Sequence, residues 1–197
     1  MLHILVIDES RVRAAELCGA LAMAGHQVAA VLPSALDLTA QIERIKPDII
    51  LIETDSPSRD TLENLALIDR AMPRPVIILT PDDDTDLMRA AFKAGVSAYV
   101  VDNLDLARLK PIIDVAIVRF ESHQSVKQEL AVATRKLSER KVVEQAKGLL
   151  ESTRLSLAQI VDQVGYRDVS AFRRLFAKRA GLSPAQYRQR FRRGPAF

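Results

Sequence analysis

SLAQIVDQVGYRDVSAFRRLFAKRAGLSPAQYRQRF, residues 156–191, predicts three short helices. Its apolar residues recur at helical spacing, and Gly165 and Gly181 separate the segments because glycine accepts the left-handed backbone that ends a helix. Helix-capping residues precede the segments: Ser156 before the first, Asp168 or Ser170 before the second, and Ser183 with Pro184 before the third. Two helices joined by a tight glycine turn, the second of them basic, are typical of a helix-turn-helix.

Charge is distributed unevenly along the chain. Residues 153–197 contain ten Lys/Arg and two acidic residues, a net charge of +8, whereas the remainder contains 18 Lys/Arg and 23 acidic residues, a net charge of −5. This asymmetry favours a C-terminal segment that binds a polyanion. The alternative is a basic tail that only increases solubility, but the helical spacing of its apolar residues predicts that the segment folds.

One motif in this segment is similar to a known family. The pattern V-G-Y-x-D-x-S-x-F-x-R-x-F begins at Val164, and G-L-S-P-x-x-Y-R follows from Gly181. Together they resemble the second helix-turn-helix of AraC/XylS-type transcription regulators, and the resemblance begins in residues 147–151. It departs from the family at Val161, where alanine is usual, and in copy number, since one unit is found here and the family carries two. The resemblance implies a transcription regulator that binds DNA.

The resemblance also implies which residues contact nucleic acid. The second helix, residues 169–178, would enter the major groove. The candidate base-reading residues at its start and on its outer face are Arg167, Asp168, Ala171 and Arg173. Arg174 is assigned either to a phosphate or to the fold, and Lys178 to the nucleic-acid surface. The candidate phosphate contacts, which position a protein without specifying a sequence, are Arg188, Arg190, Arg192 and Arg193.

Residues 1–120 alternate apolar runs with helical patterns. The predicted strands are residues 3–7, 27–32, 48–53, 75–80 and 97–102, and the helices between them are residues 11–24, 36–45, 61–72 and 85–94. Strands this continuously apolar are expected to be covered on both faces, so the sheet is predicted to be parallel. The fold class is therefore α/β: a doubly wound five-stranded parallel sheet of the receiver or flavodoxin type, then a long helical linker and a small all-α helix-turn-helix domain.

Polar residues end the predicted strands, and in such sheets ligands bind beyond the carboxyl ends of the strands. These residues are Asp8, Glu9, Glu53, Thr80 and Asp102. Their order resembles a bacterial response-regulator receiver over residues 1–120. Residues 47–57 match the P-D-x-x-L-x-D-x-x-x-P frame of receivers except at Glu53, and the G-x-x-A-Y of strand 5 also has a counterpart there.

Two positions depart from the receiver pattern. The phosphoacceptor aspartate of the family falls on Glu53, which is one methylene longer, and the family's lysine falls on Asp102, which would repel a phosphoryl group. The resemblance therefore implies a receiver that does not cycle through phosphorylation. Two alternatives stay open: phosphotransfer through Glu53 or through Asp55 as a fallback acceptor, and a Glu53 that is only a tolerated surface acid. No cofactor is required, although Asp8, Glu9 and Glu53 could hold Mg²⁺.

A long helical linker is predicted after the sheet. Its seam positions fall at heptad-like steps, although Arg119 and His123 interrupt the apolar character: Ala116, His123, Val126, Leu130, Ala133 and Leu137. This spacing predicts a helical connector through which two chains form a homodimer. The predicted domains are residues 1–120 (receiver-like), 121–152 (coiled-coil linker) and 153–197 (nucleic-acid-binding helix-turn-helix).

A second resemblance lies at the end of the linker. Residues 139–150, ERKVVEQAKGLL, resemble the start of the ANTAR module, an RNA-binding unit of antitermination regulators that also pair an atypical receiver with a coiled-coil helix. An RNA-binding antiterminator is therefore the alternative function. DNA is favoured because RNA loops are usually read by stacking on exposed aromatic residues. Phe172 and Phe176 are expected in the core, which leaves only Tyr166 and Tyr187 for that role.

The chain shows no pattern of an enzyme: neither a nucleophile–base pair, nor a glycine-rich phosphate loop, nor a metal-ligand cluster of Cys and His. Its single cysteine, Cys18, fits a reducing compartment. Asp8 and Glu9 interrupt the first apolar run, and no uninterrupted apolar run approaches the roughly 20 residues of a membrane span. We therefore expect a cytoplasmic protein without a membrane partner, whose partners are nucleic acid and a sensor protein.

Overall fold

The computed structural model describes residues 1–34, 37–101 and 108–192 of the chain. The chain divides into two compact units, Met1–Gln124 and Ser125–Phe197. None of the helices in the described ranges combines the length and the apolar character needed to cross a membrane.

The first unit is built around one parallel sheet. Its elements are β1 (His3–Asp8), α1 (Arg11–Met23), β2 (Gln27–Leu32), α2 (Leu38–Ile45), β3 (Ile49–Glu53), α3 (Arg59–Ala71), β4 (Val76–Thr80), α4 (Thr85–Lys93), β5 (Ala98–Val101) and the start of α5 (Leu109–Ser152). The sheet has five strands in the order β2-β1-β3-β4-β5, and every neighbouring pair is parallel. The predicted doubly wound sheet is confirmed. Residue 36, the predicted start of a helix, and residue 102, the predicted end of a strand, lie outside the described residues.

Two apolar clusters cover the two faces of the sheet. Leu5 and Ile7 of β1 pack in one cluster with residues of α2, α3 and α4, and Ile4 and Val6 pack in the other with residues of α1 and α5. Successive strand residues point to opposite faces, so both clusters require apolar residues. The edge strand β2 differs, because exposed residues alternate with half-buried ones along it. The expectation that every strand is covered on both faces is therefore wrong for β2.

The second unit contains the rest of α5 and three short helices, as predicted: α6 (Leu157–Gln163), α7 (Val169–Ala180) and α8 (Pro184–Phe191). The side chains that cap them are, in order, Ser156, Asp168 and Ser183. The alternative cap at Ser170 is wrong, because the backbone N–H of Ser170 itself donates to the Asp168 carboxylate. Gly165 and Gly181 follow α6 and α7 with φ angles of 72° and 73°, in the region that glycine adopts without strain.

The core of the second unit includes the end of α5. Phe172 and Phe176 are fully buried, which confirms their predicted place in the core. They pack with apolar residues of α5 and α6: Val143, Ala146, Leu150, Ile160 and Val161. The predicted domain boundary at residue 153 thus separates residues that share one core, because α5 supplies apolar side chains to the cluster around both phenylalanines.

Candidate functional site

The carboxyl ends of β1, β3 and β4 form an acidic pocket. In the register of the sheet Asp8 lies beside Glu53. Asp8 and Thr80 are buried, and Glu53 is half-buried. The structure places these three residues at the same end of the sheet, and Asp102 lies outside the described residues.

An arginine from α1 lies among these acids. The Arg13 guanidinium places Nη2 3.3 Å from Asp8 Oδ1, Nη1 2.7 Å from Asp55 Oδ1 and Nε 3.9 Å from Glu53 Oε1. Its backbone N–H donates to Oγ of Ser10, the cap of α1, so the first turn of the helix sets where the side chain starts. Arg13 of the chain itself therefore supplies a positive charge among these carboxylates.

Sequence reasoning missed Arg13. Its partner Asp55 lies 42 residues away along the chain, and no motif marks the pair. The available signal was position: Arg13 is in the first turn of α1. In a parallel βα unit that turn lies near the carboxyl end of the preceding strand, where ligands usually bind.

The electrostatics of the pocket disfavour further negative charge. Burial raises the pKa of Glu53 above its ordinary value, the neighbouring Asp8 raises it further, and Arg13 opposes both without cancelling them. The hydrogen bond to Asp55 is the main cause that raises the pKa of Arg13. Oδ2 of Asp8 is buried and has no hydrogen-bond partner among the described residues.

The predicted metal ligands are not assembled into a three-ligand site. Across residues 1–34, 37–101 and 108–192, no three His, Cys, Asp or Glu residues form a group that could hold a metal ion. Asp8 and Glu53 are neighbours in the sheet register, whereas Glu9 is exposed. Arg13 interacts with Asp8 and with Asp55.

Thr80 ties together the loops that follow β3 and β4. Its hydroxyl donates to the Asp55 carbonyl (2.8 Å) and accepts from the Asp82 backbone N–H (3.2 Å). The Asp82 carboxylate accepts from Ser56 Oγ at 2.5 Å, and this bond is the main cause that lowers the pKa of Asp82. The backbone of Asp55 is thus held in place, while its side chain is 83% exposed.

Helical geometry decides which residues of α7 are available to a partner. Phe172 and Phe176 are buried, and with about 3.6 residues per turn Arg174, midway between them, faces away from the core. It is exposed, as are the other basic residues on and before α7, which are Arg167, Arg173, Lys178 and Arg179. The structure therefore places Arg174, which the sequence assigned to a phosphate or to the fold, at the centre of the outer face.

Asp168 and Ala171 were predicted to read bases, but the structure gives them environments that differ from that of a side chain free to contact bases. The Asp168 carboxylate accepts hydrogen bonds from the backbone N–H groups of Ala171 (3.1 Å) and Ser170 (2.7 Å). These two bonds, that from Ala171 first, lower the pKa of Asp168. Ala171 is half-buried. Asp168 therefore holds the start of α7 as its N-cap.

The arginines of α8 fall into two groups. Arg190 and Arg192 are exposed. Arg188 is half-buried, and its Nη2 donates to the Leu155 carbonyl at 2.5 Å, so it fastens α8 to the connection between α5 and α6. Arg193, the fourth candidate phosphate contact, lies outside the described residues.

The two tyrosines of the second unit pack against the buried phenylalanines. The ring centroid of Tyr166 lies 5.7 Å from that of Phe172, and the Tyr187 centroid lies 5.4 Å from that of Phe176. The Tyr187 hydroxyl donates to Glu151 Oε1 at 2.8 Å, and burial, ahead of this bond, raises the pKa of Tyr187 to about 12. Both rings therefore belong to the packing of the fold.

The predicted seam of α5 is exposed in its central part. Val126, Leu130 and Leu137 are 61%, 66% and 66% exposed. Ala116, its predicted first position, is buried in the sheet core, and the Arg119 guanidinium lies 4.4 Å from the ring centroid of Phe92. Gln124 Nε2 also donates to Asp69 Oδ1, so the seam that is free to pair begins after residue 124, where the sheet unit ends.

Two family descriptions match the chain. The response regulator receiver domain matches residues 4–114, which contain the sheet and its helices. A helix-turn-helix domain matches residues 115–190, which contain most of α5, all of α6 and α7, and all of α8 except its last residue.

Known proteins are similar to parts of the chain. The transcriptional regulatory protein PdtaR of Mycobacterium tuberculosis is 28% identical over 150 residues, 76% of this chain and 73% of that protein. The MmsAB operon regulatory protein of Pseudomonas aeruginosa is 50% identical over 52 residues, 26% of this chain and 17% of that protein. The signal receiver domain of a modulated diguanylate cyclase from Desulfovibrio desulfuricans G20 matches with a TM-score of 0.55 at 21% identity, covering 62% of this chain and 98% of that domain. This structural likeness supports the fold of the first unit.

Proposed function

Since the chain belongs to the response regulator receiver family, we propose that it reads duplex DNA through α7 while its receiver works without a phosphorylation cycle. Its two matched domains make it a response-regulator-like, DNA-binding transcription regulator. The observation that carries the proposal is the basic face of α7, on which Arg174 is exposed opposite the buried Phe172 and Phe176. A helix anchored on one side and cationic on the other suits the major groove.

Contacts to the DNA backbone come from α8. Arg190 and Arg192 are exposed there and are free to meet phosphates, which supply most of the non-specific affinity. In this proposal Arg188 supports the fold, since its guanidinium is bound to the Leu155 carbonyl, and Asp168 supports α7 as its N-cap.

DNA is preferred to RNA because the two tyrosines of the helical unit are engaged in the fold. Recognition of RNA loops relies on aromatic faces on which unpaired bases stack. Tyr166 and Tyr187 pack edge-on against Phe172 and Phe176, so their rings contribute to the core. The resemblance of residues 139–150 to the ANTAR module stays a prediction, and it becomes one outcome of the binding test below.

The receiver is proposed to be set by a partner and not by phosphate. Arg13 already pairs with Asp8 and Asp55, and Glu53, at the position of the family's phosphoacceptor, has a raised pKa. Adding a phosphoryl group would break the arginine pairs and bring more negative charge to a half-buried site. The donor set also does not fit Mg²⁺, because the positive charge of Arg13 already lies against Asp8 Oδ1 and Asp55 Oδ1.

The active form is proposed to be a homodimer joined along α5. Val126, Leu130 and Leu137 are exposed at steps of four and seven, which is the spacing of a coiled-coil seam. Two helix-turn-helix units in one dimer would read two half-sites, which raises affinity through effective concentration.

A binding assay with the full chain tests the nucleic-acid proposal. Duplex DNA and hairpin RNA are compared, each against unrelated competitor, and the logarithm of affinity should fall with that of salt concentration by about 0.9 per neutralised phosphate. Arg174→Ala should cost about 1–3 kcal/mol at a preferred DNA site. Arg140→Ala, which removes an exposed arginine of α5 outside the proposed surface, is the matched control. Preference for hairpin RNA would favour the antiterminator function instead.

Light scattering tests the dimer. Leu130→Lys places a charge on the seam and should give monomers with weaker DNA binding. Val132→Lys places the same charge on an exposed position off the seam and should leave the mass unchanged. Equal masses for the two variants would place the dimer interface elsewhere.

A further inference from the structure

A groove of about 610 Å³ lies on the helical unit, where the end of α5 and the start of α6 meet α7 and α8. Its volume falls within the roughly 300–1,000 Å³ of small-molecule sites. We call it the arginine groove after its charged lining residues, Arg173, Arg188 and Arg192; Leu150 and Leu157 contribute apolar surface, and Gln189 a neutral amide. No Asp or Glu of the described residues lines it.

The three arginines are not neutralised by the chain. No ion pair joins Arg173, Arg188 or Arg192 to a carboxylate among the residues described, in contrast to Arg179, which lies 2.9 Å from Glu139. Arg188 is held by the Leu155 carbonyl, and its Nε is buried without a hydrogen-bond partner. An acceptor placed near Arg188 Nε would be favourable, because a buried donor without a hydrogen bond is costly.

We propose that the arginine groove binds a small aromatic carboxylate. The planar fork of a guanidinium matches a carboxylate in two parallel hydrogen bonds, and guanidinium groups also stack on aromatic faces. The apolar lining at Leu150 and Leu157 covers the rest of such a ligand. This combination favours a molecule with one charged end and one apolar body over the uniformly polar backbone of a nucleic acid.

Occupancy of the groove would reach the DNA-binding surface. Arg173 lies on α7 beside Arg174, and Arg192 ends α8 and is exposed. A carboxylate that engages these two arginines would remove them from phosphates, so the ligand would weaken DNA binding. This consequence rests on the proposed function, whereas the binding of the carboxylate itself does not.

Calorimetry with the full chain and no DNA tests the site. The probe is 2-naphthoate, and the control ligand is 2-naphthamide, which has nearly the same shape without the charge. Naphthoate should bind at least about tenfold tighter, since one charge-assisted hydrogen-bonded contact is of that size. Gln189→Glu keeps the side-chain shape and adds a negative charge to the groove, so it should lower naphthoate affinity by roughly fivefold or more.

The variants separate a groove effect from a general charge effect. Arg192→Gln should weaken naphthoate binding, whereas Arg140→Ala removes a positive charge from the same unit away from the groove and should not. Circular dichroism shows whether each variant is folded, and Gln189→Glu, at an exposed position, decides the matter if the arginine variant unfolds.

Several results would overturn the proposal. Equal affinity for naphthoate and naphthamide, no binding of either, or an unchanged affinity in Gln189→Glu each contradicts it. If naphthoate does not bind while Gln189→Glu weakens DNA binding, the groove belongs to the DNA interface and the proposal is wrong. If naphthoate binds as expected while DNA does not, the carboxylate site in the groove is supported and the proposed function is contradicted.

Discussion

The acidic pocket and the arginine groove differ in whether their charged side chains are already paired within the chain. In the pocket Arg13 pairs with Asp8 and Asp55, whereas in the groove Arg173 and Arg192 form no ion pair with a carboxylate of the described residues. A ligand of the pocket must first break an existing pair, but a ligand of the groove meets charges that are still available. On the proposed function, a family's ligand-binding position has become structural while another surface of the chain keeps the binding charges.

The largest expected effect separates the two units. Phe172→Ala removes a fully buried ring from the core of the helical unit and should cost about 3–5 kcal/mol. We expect this unit to lose its fold and nucleic-acid binding to disappear. Isoleucine methyl signals in NMR spectra, most of which come from the sheet unit, should be largely unchanged, because this unit has its own apolar clusters.

Phe191→Ala is the matched control. Phe191 is 43% exposed, so its loss should cost less than about 1 kcal/mol. If Phe172→Ala also unfolds the sheet, the two units are not independent. The acidic pocket and the arginine groove would then belong to one cooperative structure.

The sheet could be predicted from the sequence because its signals are local. Continuous apolar runs such as that of β1 and turn residues such as Gly25 and Gly95 mark each element within a few residues. The helical unit could be predicted equally well, since helix caps and glycines act on their immediate neighbours. The prediction that both faces of the edge strand β2 are covered was wrong, because the burial of a strand depends on where it lies in the sheet and not on its own residues.

The candidate sites were less predictable because they depend on distant residues. The pair of Arg13 and Asp55 spans 42 positions, and the bond from Arg188 to Leu155 spans 33. Residue type alone therefore assigned Arg188 to phosphate. The outer position of Arg174 could have been predicted from the sequence, because Phe172 and Phe176 were expected in the core and Arg174 lies midway between them.

A smaller effect is expected when the internal cation of the pocket is removed. Arg13→Ala leaves the buried Asp8 carboxylate without its charged donor and should reduce stability by about 1–3 kcal/mol in urea unfolding. Arg11→Ala removes an exposed arginine from the same turn of α1 and should change stability by less than about 0.5 kcal/mol. Equal losses in the two variants would mean that the pairs around Arg13 do not stabilise the fold.

Phosphorylation of the wild type and of two variants tests the pocket as a ligand site. Wild-type protein incubated with acetyl phosphate and Mg²⁺ should show no phosphoryl adduct in its intact mass. An adduct that disappears in Asp55→Asn would contradict the receiver without a phosphorylation cycle and restore Asp55 as acceptor. An adduct that appears only in Arg13→Ala would sharpen the comparison, because it would show that the internal pair is what closes the pocket.

The smallest expected effect concerns Glu53 and pH. Burial and the Asp8 charge raise its pKa in the folded protein above the ordinary value of 4.5. Folding therefore favours the protonated form, and the stability that Glu53 contributes is present below its unfolded pKa and is lost as pH rises through its folded pKa. Glu53→Gln, which keeps the shape without the charge, should be more stable than wild type near neutral pH by less than about 1 kcal/mol.

Urea unfolding of the sheet, followed through its isoleucine methyl signals at about pH 5 and about pH 7, measures this difference. The gap between Glu53→Gln and wild type should widen as pH rises, because only the wild type then carries a charge beside Asp8. Glu9→Gln removes an exposed carboxylate from the same end of the sheet and should show no such widening. A Glu53→Gln variant that is less stable than wild type at neutral pH would mean that Arg13 pairs with Glu53 more strongly than the 3.9 Å separation indicates. The pocket would then hold three paired acids, and its contrast with the arginine groove would be greater still.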